Sequence, residues 1–476
     1  MDAMQTTRGL SRRDFLGGFA SLGLFGGCAF AAPRGTFSSG APLLRFGLVS
    51  DVHISMKDVG GRWANDARTF AHALRWFRDM GADAVVNAGD LANFGMTEEL
   101  EAMADAWDEV FPGGKAPDGR DVVRVFVTGN HDYEGSIYGG GFAKNLYPDE
   151  AERGERVYFP NRRRQWERIF REPYEPIFSK CVRGYTFIGQ HWDPPSWKGC
   201  GSFGLVRPWM EKNGGALAAD GRPFFYVQHA VLRRTCNGPG AWGQDTGVAT
   251  ASLSAHPNAI AFSGHSHYTL TDESSIWQGG FTAVNAGSMW YTGKPDLGNP
   301  DAPRPRMRNT SQGALVEVYD DRVVIVRRQF LPDESLGDDW VIPLPVASHR
   351  PFDPKSRAAP AIAPQFAPDA VVGVKFKSGT LRVSFPQALA CAEARPFKYS
   401  VRAESKEGEV QAKEVMDPCF NRPPSDMRCE GVVEVSFKGK FLPKGSAYRV
   451  TVAPGGSLGN YGTAMVSAWT AGGVDA

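Results

Sequence analysis

Five times in this chain a short apolar run, of strand length, ends on a residue able to bind a hard or borderline metal ion. Leu43 to Val49 runs into Asp51-Val52-His53, Ala82 to Ala88 into Gly89-Asp90, and Val122 to Val127 into Gly129-Asn130-His131-Asp132. Pro223 to Gln228 runs into His229, and Ala259 to Phe262 into Gly264-His265-Ser266-His267. Amphipathic stretches separate the runs. Asn65 to Met80 carries Ala67, Phe70, Ala71, Leu74 and Phe77 on one helical face, and Gly81 stops it. A second helix is expected to reach Phe111, with Thr97 as its cap and Glu98 and Glu99 in its positive first turn. This alternation specifies an α/β domain. In α/β sheets the ligand site lies beyond the carboxyl ends of the strands, so the five tips can converge on one place. Each tip alone is a weak signal, because a lone strand-end His is more often a hydrogen-bonded structural residue. Five in one order make a specific one.

The domain continues through strands at Phe281 to Asn285, Ala314 to Tyr319 and Val323 to Phe330, the last two forming a hairpin around Asp320-Asp321, and ends near Pro345. Between Tyr133 and Pro208 the pattern loosens into Gly, Arg and aromatics and reads as an elaborate cap. Residues 346–370 are dense in Pro and Ala and read as a fairly stiff linker. Residues 371–476 alternate apolar and polar positions between turn signals, the pattern of a small β-sandwich of immunoglobulin-like size. A chain of 476 residues exceeds one ordinary core, which agrees with at least two domains.

The first 31 residues differ in kind. Ser11-Arg12-Arg13-Asp14-Phe15-Leu16 precedes a weakly apolar, Gly-rich run to Ala31, the pattern of a twin-arginine export signal, with a periplasmic or extracellular destination. The run falls short of the roughly 20 residues a membrane-spanning helix needs. No later segment reads as transmembrane. Ala29-Phe30-Ala31 offers a cleavage site, which is favoured. Phe25-Gly26-Gly27-Cys28 is a poor lipoprotein box and leaves lipidation at Cys28 as the alternative. The other six cysteines divide into Cys181, Cys200 and Cys236, then Cys391, Cys419 and Cys429, and their spacing fixes no connectivity. A formal net charge of +1 gives no nucleic-acid-binding signal.

The order Asp-x-His, Gly-Asp, Gly-Asn-His-Asp, His, Gly-His-x-His resembles the calcineurin-like metallophosphoesterase superfamily over roughly Leu43 to Pro345. The resemblance implies two mixed sheets flanked by helices, a four-layer sandwich, and a dinuclear metal centre. By motif position, Asp51, His53 and His267 would hold one ion, Asn130, His229 and His265 the other, and Asp90 would bridge them. His131 would be the acid or transition-state stabiliser beside the cluster and Asp132 its orienting partner. The residue types agree: oxygen and imidazole donors without cysteine suit Mn, Fe or Zn. Two such ions about 3.5 to 4 Å apart activate a shared water and clamp the attacking and leaving oxygens of an in-line displacement at phosphorus. Asn130 offers a carbonyl oxygen without adding charge, which keeps the site electropositive enough for phosphate. Gly89, Gly129 and Gly264 are expected where strands turn sharply.

The expected activity is hydrolysis of a small-molecule phosphomonoester or phosphodiester by a metal-bridging hydroxide. Asn93 and His191 are candidate substrate contacts. Arg162 to Arg164 read as the wet face of a helix whose Trp166, Ile169 and Phe170 point inward, and Trp242, Trp290, Tyr291 and Tyr138 as pocket lining or packing. A competing class is a metal-containing binding protein with lost catalysis, anchored to an envelope partner or glycan by its sandwich domain. The presence of every ligand and of His131 counts against it.

Overall fold

The computed structural model describes residues 39–55, 67–133, 162–192, 203–292, 310–358, 361–390, 394–408, 410–428, 431–438 and 446–471. The expected leader with Cys28, together with Tyr138, Cys200, Cys391 and Cys429, lies outside them. In chain order the first part contains β1 (Leu44–Val49), α1 (Arg68–Asp79), β2 (Ala84–Asn87), α2 (Thr97–Val110), β3 (Val123–Phe126), α3 (Arg162–Phe170), β4 (Ile177–Val182), β5 (Tyr185–Gln190) and α4 (Val206–Asp220). It continues with β6 (Phe224–Val227), α5 (Val248–Leu253), β7 (Ala259–Ser263), β8 (Ile276–Gln278), β9 (Thr282–Asn285), β10 (Gln312–Val318), β11 (Arg322–Phe330), β12 (Asp333–Ser335) and β13 (Trp340–Pro343).

These strands build two mixed sheets, as expected. One runs β12-β11-β10-β1-β2-β3 with β13 on β11, and the other β4-β5-β6-β7-β9-β8. Strand alternation explains why they stack. Leu44, Phe46 and Leu48 of β1 belong to a cluster shared with Phe187, Phe225, Ile260 and Phe262 of the second sheet. Phe46 meets Phe187, Phe225 and Phe262 edge-on at 5.0, 4.8 and 5.8 Å. The opposite face of β1 presents Gly47 and Val49 toward α1, and a β-carbon on Gly47 would sit 2.4 Å from the Phe77 ring. In each sheet the strands that carry site residues run parallel, β1-β2-β3 in one and β5-β6-β7-β9 in the other.

Two local expectations are corrected. The described part of the presumed cap is framework: β4 and β5 form a hairpin at the edge of the second sheet, and β5 pairs with β6 in parallel. Its two-residue turn, Arg183-Gly184, holds both residues at positive φ, 53° and 85°. Thr97 is the first helical residue of α2 and not its cap, which is Met96. The N-terminal N–H groups there are served by Glu99, whose carboxylate accepts from Phe94 N at 2.9 Å and Met96 N at 3.2 Å.

The stretch expected as a linker binds partly to the first region. Phe352 is buried, its N–H donates to Gln278 Oε1 at 2.9 Å, and the Arg357 guanidinium pairs with Glu273. Beyond it come β14 (Gly373–Lys377), β15 (Thr380–Pro386), β16 (Lys398–Ser405), β17 (Val410–Met416), β18 (Val432–Lys438) and β19 (Ala447–Gly455). They form two antiparallel sheets, β14-β15-β18 and β17-β16-β19, whose inward residues share one apolar cluster that includes Phe385, Tyr399, Val435 and Val450. The segment after β17 docks on the first region. Phe420 O accepts from Thr271 Oγ1 at 2.6 Å, and the buried Asn421 amide donates to Thr292 Oγ1. Cys419 is disulfide-bonded, whereas Cys181 and Cys236 are free. Among the described residues no helix is long and apolar enough to cross a membrane.

Candidate metal centre

All five predicted tips meet. Ligand atoms of Asp51, His53, Asp90 and His267 lie within 4.8 Å of one another, and so do those of Asp90, His229 and His265, so that Asp90 belongs to both groups. Asn130 joins the second group, its Oδ1 being 3.2 Å from His229 Nε2. All seven of these groups are buried, Asn130 being the most exposed at 9%.

The hydrogen bonds fix which ring nitrogens are bare. A carbonyl oxygen can only accept, so a ring nitrogen facing one must carry the proton. His267 Nδ1 donates to Tyr291 O at 3.0 Å, and His229 Nδ1 to Ala88 O at 2.7 Å. His53 Nδ1 donates to the Asn93 amide oxygen at 3.2 Å. In the neutral rings each Nε2 is then a naked lone pair. Yet His53 Nε2 and His267 Nε2 face each other at 3.1 Å. His229 Nε2 faces Asp90 Oδ2 at 3.1 Å, and that oxygen is buried without a hydrogen bond among the described residues. Lone pairs converging on lone pairs repel unless a cation lies among them.

Charge leads to the same result. Asp51 and Asp90 are buried, and every ion partner of theirs within 4 Å among the described residues is an imidazole. Buried anions need such compensation. For Asp51, burial pushes the carboxyl pKa up, but His267, His53 and His229 outweigh it and hold it well below the usual range. Asp90 is held low in the same way, chiefly by His229 and His131. Burial takes His53 down to about 4 and His265 to about 3, so both are neutral ligands in waiting. His229 goes the other way, to about 9: burial opposes its charge, but the Asp90 carboxylate more than repays it. A proton there occupies the place a metal cation would take. The donor set therefore fits divalent metal.

Residues 44–269 match the family model described as calcineurin-like phosphoesterase. No curated protein matches the chain. Among solved structures, it is similar to a conserved uncharacterized protein, a predicted phosphoesterase, of Streptococcus pneumoniae, at 14% identity and a TM-score of 0.24, over 63% of this chain and 97% of that one. It is also similar to a purple acid phosphatase from yellow lupin (Lupinus luteus) seeds, at 14% identity and a TM-score of 0.36, over 63% of this chain and 53% of that one.

Within the matched region, His131 opens a 3-10 turn after β3 and stands edge-on to His53, ring centres 4.5 Å apart. Its backbone N–H donates to Asp90 Oδ1 at 2.9 Å, and its Nδ1 donates to Asn93 O at 3.0 Å. Asp132 does not orient it. Both Asp132 oxygens are taken by backbone N–H groups, Ala92 at 2.8 Å, Gly129 at 2.7 Å and Leu91 at 3.3 Å. Neighbours in sequence point apart on such a turn. Burial and the Asp90 charge push the Asp132 carboxyl up to about 7, against those three donors. Asn93 orients His53 with its side chain and His131 with its backbone, while its Nδ2 makes no hydrogen bond among the described residues. His191 is buried in a box of Trp166, Tyr174 and Phe178, and its Nδ1 accepts from Thr128 N at 3.1 Å. It braces the chain ahead of Asn130.

Among the described residues, five of the eleven non-glycine residues with positive φ are ligand candidates: Asp51, His53, Asp90, His265 and His267. Side chains seldom tolerate that conformation outside functional sites. No residue type or spacing foretold it. The sequence pointed to glycines, and only Gly89, at φ 99°, takes that part; Gly129 and Gly264 supply room. Ser288, after β9, was also missed, although its position past a sixth apolar strand was a usable signal. Its Oγ lies 3.2 Å from His267 Nδ1.

Proposed function

We propose that this protein is an exported, metal-dependent phosphoesterase that hydrolyses a phosphomonoester or phosphodiester. The observation that carries the reading is the convergence of two groups of imidazole and carboxylate ligand atoms that share Asp90, with His53 Nε2 and His267 Nε2 facing each other at 3.1 Å. Asp51, His53 and His267 would hold one Mn, Fe or Zn ion, Asn130, His229 and His265 a second, and Asp90 would serve both. Such ions supply Lewis acidity, which makes a water acidic enough to attack phosphorus and neutralises phosphoryl charge.

The protein's own groups do the rest. Tyr291 O, Ala88 O and Asn93 Oδ1 fix the tautomers of His267, His229 and His53, so each presents Nε2 inward. His131, oriented through Nδ1 by Asn93 O, would give a proton to the departing alkoxide. Asn93 Nδ2 is a donor in reserve for a phosphoryl oxygen.

The test is to compare Asp90→Ala and His131→Ala with the parent on nitrophenyl phosphate and bis-nitrophenyl phosphate, with metals measured in parallel. Asp90→Ala should lose metal and turnover together. His131→Ala should keep its metal and lose about 100-fold or more in kcat, the scale of a missing general acid. Parent-like turnover in both variants refutes the reading. For export, replacing Arg12 and Arg13 by Lys should trap the protein in the cytoplasm; undiminished export would remove that part alone.

A further inference from the structure

Trp242 is 54% exposed in a domain whose other large aromatics are mostly buried. Single exposed apolar residues ordinarily need no explanation. This one differs in three ways. Its ring stacks on His265, a ligand candidate, at 4.6 Å and 22° between planes, so one face is covered and the exposed area belongs to the other. Its loop is braced: Trp242 N donates to the buried Tyr268 hydroxyl at 3.0 Å, Val231 N to Gly243 O at 3.0 Å, and Asp245 N to Val231 O at 2.9 Å. Gly243, at φ 81°, lets that loop press so close that a β-carbon would lie 2.7 Å from His265 Cδ2. The ring is thus held open beside the cluster by the fold, where a mobile side chain would collapse onto the surface.

We propose that Trp242 is the platform for a planar aromatic ring on the alcohol portion of the phosphate ester. The assignment rests on the phosphoesterase reading and narrows its substrate class. A phosphoryl group at the cluster leaves its ester substituent next to His265, and a flat ring there extends the parallel His265–Trp242 stack by one layer. Aromatic rings favour such offset stacking. A platform already in place spares the ligand the cost of ordering it. On the other side of the cluster Trp290 lies against His53 at 4.7 Å and Tyr291 against His267 at 4.2 Å. Both are tilted and partly buried, which leaves the Trp242 face as the flat one open to solvent among the described residues.

The test is calorimetric binding of three non-hydrolysable probes to the metal-loaded full chain: phenylphosphonate, cyclohexylphosphonate and methylphosphonate. The parent should bind phenylphosphonate about tenfold tighter than methylphosphonate, within the range that ring stacking contributes, with cyclohexylphosphonate well behind phenyl. Trp242→Leu should bring the phenyl-to-methyl ratio close to one, and Trp242→Phe should retain most of it. Equal affinities in the parent, or cyclohexyl matching phenyl, overturn the platform, whatever happens to ester turnover. A parent that prefers phenylphosphonate yet turns over no ester would keep the platform and defeat the hydrolase reading.

Discussion

Replacing Asp132 by Asn separates two roles that the sequence allows for it. The carboxylate takes three buried N–H groups, from Leu91 and Ala92 past β2 and from Gly129 past β3, so it staples the segment carrying Asp90 to the turn carrying Asn130. An amide has one oxygen. If that oxygen takes the place of Oδ2, Gly129 and Leu91 stay bonded and the new NH2 confronts the Ala92 N–H, donor against donor. If it takes the place of Oδ1, two donors are stranded. The cheaper arrangement leaves one buried donor unmade, about 1 to 3 kcal/mol, plus the loss of charge assistance on the others. At about 2 to 4 °C per kcal/mol for a domain of this size, Tm should fall by about 2 to 12 °C. Metal content should fall with it, because Asp90 and Asn130 lose their common anchor. The assay is calorimetry with metals measured on the same sample. A pH–rate profile then tells the roles apart: a staple lowers Tm and occupancy and leaves the shape of the profile alone. An unchanged Tm and full metal, with the alkaline limb of the profile displaced, would refute the structural argument and restore Asp132 as the partner of His131.

Gly264→Ala places a β-carbon 1.8 Å from Ser50 Oγ and 2.5 Å from Asp51 Oδ2, so it should cost about 1 to 3 kcal/mol and lower the metal-to-protein ratio; full occupancy at the parent Tm would contradict it. Burial pushes the Glu99 carboxyl up to about 8. The folded state then holds a proton that the unfolded chain releases near pH 4, so this contribution is complete below that pH and is lost as pH rises toward 8. Glu99→Gln should flatten the decline in stability between pH 5 and 8, by at most about 1.4 kcal/mol per pH unit, and parallel profiles for the two proteins would count against the buried proton. Asn421→Ala removes the donor to Thr292 Oγ1, next to the Tyr291 carbonyl that sets the His267 tautomer; metal affinity should drop about tenfold, whereas a contact that only ties the regions together would leave it unchanged.

The ligands were legible in the sequence because two independent patterns coincide at them: apolar periodicity locates the strand ends, and the residue types there share one coordination chemistry. Where only one pattern was present, the reading failed. β4 is an edge strand with Ser179 and Lys180 in its middle, so no apolar run marked it, and a structural hairpin was taken for a cap. His191 follows an apolar strand as His229 does. What separates them is the aromatic box of Trp166, Tyr174 and Phe178, contributed by residues distant enough in sequence that spacing cannot foretell it. Asp132 adjoins His131 and so looked like its partner, but the three N–H groups that claim it are set by the tertiary fold.

The glycines show how the tips are keyed to one another. Each makes room for a ligand from a different strand end: a β-carbon on Gly89, past β2, would strike the His229 ring at 2.5 Å; on Gly129, past β3, Asp90 Oδ1 at 2.1 Å; on Gly264, past β7, the Asp51 carboxylate. The bends that glycine was expected to supply are taken instead by Asp51, His53, Asp90, His265 and His267, at about 1 to 2 kcal/mol each for the left-handed region. That strain is tolerable only where the surroundings allow no other arrangement, and the interlock is what removes the alternatives. A ligand that relaxed to negative φ would swing off the spot its neighbour's glycine was cleared for. The cluster is therefore set by the packing of the two sheets before any ion arrives, and damage at one tip should register first as a displaced ligand on another.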